Sequence, residues 1–67
     1  MEIILNNRKE TFKKNQLTIS ELLVEKNFTF KFLVIKINGK LIKKENYKTA
    51  TVKDGDNVMV LHLISGG

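Results

Sequence analysis

The dipeptide Asn38-Gly39 stands between two apolar runs, Phe32-Leu33-Val34-Ile35-Lys36-Ile37 before it and Leu41-Ile42 after it. A two-residue type I′ turn needs positive φ at both central positions, which Asn tolerates and Gly adopts at no steric cost. The pair therefore turns the first run back on the second as an antiparallel hairpin. The period of two along a strand then assigns faces. Leu33, Ile35 and Ile37 point toward the core, while Phe32, Val34 and Lys36 point outward. Apolar residues on an outward face call for an explanation. A lone hairpin is also unstable in water, so the rest of the chain has to supply further strands and a covering layer.

The covering layer is legible at Thr18-Ile19-Ser20-Glu21. In a Thr-x-x-Glu segment the Thr hydroxyl accepts from a free helix amide, and the Glu reaches back to the Thr amide. A helix is expected to start there, with Ile19, Leu22 and Leu23 on one face at i, i+3 and i+4 and the Lys26 stem beside them. Leu17 is placed to staple onto Leu22. Asn27 suits a left-handed terminator, and Phe28 folds back on the last turn. Such a helix has only two to three turns, so it gains stability by packing on a sheet.

The remaining elements follow from similar patterns. Glu2-Ile3-Ile4-Leu5 reads as a strand flanked by others, and Asn6-Asn7 as its turn. Arg8 to Lys14 reads as the returning arm, with charges suited to a sheet edge, and Asn15-Gln16 as a break. Lys43 to Lys48 reads as a loop or single turn anchored by Tyr47, and Thr51-Val52-Lys53 as a short extended piece. Asp54-Gly55-Asp56 reads as a turn rather than a calcium loop, which needs more oxygen ligands at set spacings. The last strand runs from Asn57 or Val58 to Ile64. Val58, Val60 and His62 share one of its faces; Met59, Leu61 and Leu63 share the other. One helix covers one face of a sheet, so Val34, Met59, Leu61 and Leu63 either form a candidate partner-docking patch or lie under a loop.

Size and composition narrow the function. At 67 residues the chain is expected to form one domain, 1–67, near the lower limit for a core without staples. It has no Cys and one His, so neither a Cys/His nor a Ser/His/Asp arrangement is in view, and no zinc or iron cluster. A protein that is not itself an enzyme is expected, with no metal and no cofactor of its own. No apolar stretch approaches the ~20 residues that span a bilayer, and no charged-then-apolar leader is seen. A cytoplasmic location with no membrane partner is expected. The formal charge is +5, but the twelve basic residues include only one Arg, Arg8, and the lysines are dispersed. That pattern fits a solvated surface or an acidic protein partner better than nucleic acid.

The end of the sequence, Ser65-Gly66-Gly67, supplies the chemical hint. Read as the chain end, it is an extended, flexible arm, 65–67, carrying a free α-carboxylate on Gly67. Without Cβ atoms the arm can enter a narrow active site. At an average glycine usage of about 7%, a Gly-Gly end arises by chance in roughly one chain in 200.

Taken together, the order of two strands, helix, two strands and a final strand is that of the α+β, ubiquitin-like β-grasp fold. More specifically, the chain resembles the ThiS-type sulfur carrier proteins of thiamine thiazole biosynthesis. The resemblance rests on the opening strand ending in Asn6, the helix start Thr18-Ile19-Ser20-Glu21-Leu22-Leu23, Ile37-Asn38-Gly39-Lys40-Leu41-Ile42, Asp54-Gly55-Asp56 and Gly66-Gly67. It departs at Lys43 and Tyr47, where the family often shows proline and tryptophan.

The resemblance implies a mixed sheet of four to five strands on one helix, with the first and last strands parallel at its centre. It also implies that a ThiF-type activating enzyme, using ATP and magnesium, adenylates the Gly67 carboxylate. A persulfide sulfur donor then converts it to a thiocarboxylate, which a ThiG-type thiazole synthase consumes. The carrier would be a monomer when free. Two readings share this fold: a MoaD-like carrier for molybdopterin synthesis, and a ubiquitin-like modifier joined through Gly67 to a lysine. A small basic RNA-binding module is a third class, but its Phe residues show no repeated spacing that would make a stacking platform.

Overall fold

The computed structural model describes residues 1–28 and 32–62. Leu63, Ser65, Gly66 and Gly67 lie outside the described residues. Strand β1 (Glu2–Leu5) turns at Asn6-Asn7 into β2 (Arg8–Thr11). Both turn residues have positive φ, 51° and 67°, and they join antiparallel strands as a type I′ turn does. A short strand β3 (Gln16–Thr18) leads directly into helix α1 (Ile19–Glu25). Beyond the helix lie β4 (Leu33–Ile37), β5 (Lys40–Ile42), a single 3₁₀ turn (Lys44–Asn46), β6 (Thr51–Lys53) and β7 (Asn57–His62). Asn38 and Gly39 take φ of 50° and 83°, as the hairpin between β4 and β5 requires.

Five strands form one mixed sheet in the order β2-β1-β7-β4-β5, and β3 pairs with β6 as a separate two-stranded ribbon. The pair β1 and β7 is parallel and the other neighbours are antiparallel. This is the β-grasp arrangement, with the first and last strands adjacent near the sheet centre. The ribbon departs from the sequence reading, which takes Asn15-Gln16 as a break. Gln16–Thr18 is instead held as a strand by Thr51–Lys53, a partner more than 30 residues away. Its centre is Leu17 opposite Val52, both buried.

Helix α1 has both halves of the expected capping box. The Glu21 amide donates to Thr18 Oγ1 at 3.1 Å, and the Thr18 amide donates to Glu21 Oε1 at 2.9 Å. That backbone bond holds the Glu21 carboxyl below the usual carboxylate range, against a smaller opposing effect of desolvation. At the other end, Phe28 N–H donates to Leu23 O and Asn27 N–H to Val24 O, with Asn27 at φ 57°. These are the two bonds of a Schellman motif, with Asn in the left-handed position.

One continuous core lies between the sheet and the helix. It contains Ile3, Leu5, Ile35, Val58 and Val60 from the sheet, Ile19 and Leu22 from the helix, and Leu17 and Val52 from the ribbon. Leu23, Phe28, Leu33, Ile37, Ile42 and Tyr47 pack at its margins. Among the described residues no polar or charged side chain is buried, and no helix is long and apolar enough to cross a membrane.

Candidate functional site

Strand β7, the last of the described strands, is an interior strand of the sheet. It is flanked by β1 on one side and β4 on the other. Its pairing with β1 is short, since β1 turns away at Asn6. Asn6 N–H donates to Val58 O at 2.9 Å, and its side chain then continues the ladder. Asn6 Nδ2 donates to Val60 O at 3.1 Å, and Val60 N–H donates to Asn6 Oδ1 at 2.8 Å. An amide side chain carries one donor side and one acceptor, so it can stand in for the next peptide group of β1.

A second amide works the same way at the start of β7. Asn38 N–H donates to Asn57 O at 2.7 Å, and Asn57 N–H donates to Asn38 Oδ1 at 2.8 Å. Asn38 Nδ2 then donates to Asp56 Oδ1 at 3.0 Å. Asp56 Oδ2 accepts from Lys53 N–H, and Asp54 Oδ1 accepts from Glu2 N–H at 2.6 Å. Asp56 is thus engaged in turn chemistry, as the spacing suggested, with Gly55 at φ 88°, whereas Asp54 ties the turn to the start of β1. Among the described residues no cluster of His, Cys, Asp and Glu could hold a metal ion.

The sheet face away from the helix carries the candidate docking patch. Register places Val34 directly opposite Leu61, and Lys36 opposite Met59 on one side and Leu41 on the other. Val34 and Met59 are half-buried, whereas Leu61 is 45% exposed and Leu41 56% exposed. The structure therefore brings together Val34, Met59 and Leu61 of the expected patch.

Leu41 belongs to the same face and was missed in the sequence reading. The signal was present: a two-residue hairpin at Asn38-Gly39 pairs Ile37 with Lys40 and Lys36 with Leu41, so Leu41 shares the Lys36 face. Phe32, just before β4, adds another large apolar side chain at 57% exposure. The clamping role of the Asn6 side chain was also missed, and no local pattern announces it.

The family model for the ThiS family matches residues 2–67. The chain belongs to the ThiS family. It is 30% identical over 63 residues to the sulfur carrier protein ThiS of Bacillus subtilis (strain 168), covering 94% of this chain and 96% of that one. The crystal structure of the thiamine biosynthesis protein ThiS from Geobacter metallireducens superposes with a TM-score of 0.90 at 29% identity, covering both chains completely. A solution structure of a thiamine biosynthesis protein from the same organism gives a TM-score of 0.76 at 28% identity, covering all of this chain and 88% of that one. The ThiS resemblance drawn from the sequence and its α+β fold thus hold over the full matched length.

Proposed function

We propose that this ThiS-family chain is a sulfur carrier for thiamine biosynthesis whose reactive group is the Gly67 α-carboxylate. The observation that carries the reading is the family match, which runs from residue 2 through Gly67 and so includes the Gly-Gly end. The relatives support it: one is named a sulfur carrier and one a thiamine biosynthesis protein.

The chemistry belongs to the partners, because a carboxylate is a poor acyl donor to a sulfur nucleophile until it is activated. A ThiF-type enzyme, with ATP and magnesium, lets a Gly67 carboxylate oxygen attack the α-phosphorus, forming an acyl adenylate and releasing pyrophosphate. A persulfide attacks the acyl carbon and AMP departs with the oxygen. A second thiol then cleaves the sulfur–sulfur bond, leaving the thiocarboxylate on Gly67 and a disulfide on the donor. A ThiG-type synthase accepts the sulfur for thiazole formation. The carrier's part is to dock and to deliver the arm Ser65-Gly66-Gly67. The exposed face of Val34, Met59 and Leu61, with Leu63 next along the chain, is the docking patch, and β7 ties that patch covalently to the arm.

Incubation with the activating enzyme, ATP and a persulfide donor tests this by intact mass. The expected product has one oxygen replaced by sulfur. Since the chain has no Cys, a thiol alkylator then labels the C-terminus alone. Confirmed adenylation with no sulfur gained, or Gly67 found in isopeptide linkage to lysines, would overturn the reading.

A further inference from the structure

Lys36 occupies an unusual place on the docking face. It is exposed, with Met59 directly across on β7 and Leu41 directly across on β5. Val34, opposite Leu61, lies two residues along the same face. An ammonium is thus set among four apolar side chains. No hydrogen bond or ion pair joins it to any described residue, whereas Lys26 Nζ meets Glu10 Oε1 at 2.9 Å elsewhere. The other charged residues that register assigns to this face are Lys9, opposite Ile4, and Glu2, opposite Thr11. Glu2 lies two strands over and about four residues down from the Lys36 row, roughly 16 Å away from strand spacings. That exceeds the ~8 Å screening length at physiological salt. Among the described residues, no carboxylate on this face neutralises Lys36.

Covering such a patch with a purely apolar surface would strand a desolvated ammonium, which is strongly unfavourable. A second copy of this chain does not solve the problem. Two-fold pairing sets the same patch against itself, so two Lys36 groups enter one interface between molecules of charge +5. We infer that the occupant is the adenylating enzyme, through an apolar docking surface bearing a carboxylate that meets Lys36. The apolar neighbours supply the burial, and the ion pair fixes register and selects the cognate enzyme. This rests on the sulfur-carrier reading above and adds the chemistry by which the partner is recognised.

The sign of one substitution separates the alternatives. Lys36→Met keeps the stem and removes the charge. With a partner carboxylate present, the variant leaves that carboxylate unpaired and binds the activating enzyme about tenfold or more weakly by calorimetry. Lys36→Arg retains most of the affinity, and the salt dependence of binding is smaller for Lys36→Met than for wild type. If Lys36→Met binds equally or more tightly while wild-type carrier is thiocarboxylated normally, the inference is overturned and the carrier reading stands. Wild-type carrier that neither binds nor gains sulfur overturns both. A free carrier that sediments as a dimer strengthened by Lys36→Met identifies a second copy as the occupant and also overturns the inference. Because Lys36 is exposed, unchanged thermal melts confirm that the variants are folded.

Discussion

Replacing Asn6 tests whether one side chain holds the end of the last strand in register. The Asn6 amide makes two bonds to Val60, and a typical hydrogen bond contributes about 0.5–1.5 kcal/mol net, so losing both costs about 1–3 kcal/mol. Asn6 also sits at φ 51°, where Ala meets the Cβ penalty of about 1–2 kcal/mol that Asn partly avoids. Asn6→Ala is therefore expected to destabilise by about 2–4 kcal/mol. For a domain of this size that lowers Tm by roughly 10 °C or more. Asn6→Gly removes the same bonds without the backbone strain, at the cost of a more flexible unfolded chain. It should recover up to about 1 kcal/mol relative to Ala.

Urea unfolding of the three proteins gives these differences, and hydrogen exchange at the Val60 amide reports the local consequence. Both variants should lose protection at Val60 beyond what the global stability change accounts for. An Asn6→Ala variant within about 0.5 kcal/mol of wild type, well below the expected loss of two bonds, would refute the clamp. So would unchanged Val60 exchange in Asn6→Gly.

Leu61→Asp is expected to lower stability by only about 1–2 kcal/mol, because Leu61 is 45% exposed and loses mainly its cross-strand contact with Val34. Binding to the activating enzyme should fall by about tenfold or more, and a variant that unfolds instead would assign Leu61 to the core. The Glu21 carboxyl, lowered first by its bond to the Thr18 amide, adds stability that is complete above the unfolded-state pKa. That contribution disappears as the pH falls through the lower folded-state value. The gap in Tm between wild type and Glu21→Ala should accordingly be constant near neutrality and shrink on acidification. A gap that widens toward acid would contradict the capping box as its source.

What could be read along the chain was whatever a few adjacent residues decide among themselves. Asn38-Gly39 specifies a turn because both positions tolerate positive φ, and they adopt it at 50° and 83°. Thr18 and Glu21 specify a helix start because their side chains reach only the amides three residues away. Alternation along β4 and β7 identified Ile35, Val58 and Val60 as core and Val34 and Leu61 as opposite-facing. The Gly-Gly end is equally local: it was visible in the sequence, and its proposed role still rests on the sequence and the family match.

Tertiary structure decided the features whose partners lie far apart. Gln16–Thr18 has no strand pattern of its own and becomes a strand because Thr51–Lys53 is brought beside it. Asn6 reads locally as a turn former, yet its amide closes on Val60, 54 residues on, because β1 ends just where β7 still needs partners. Lys36 reads as an ordinary solvent-facing lysine. It becomes an isolated charge within an apolar face only when β5 and β7 set Leu41 and Met59 on either side of it. Short-range sterics and hydrogen bonding fix turns, caps and faces from sequence alone. Which faces and amides meet is decided only when the chain closes into its sheet.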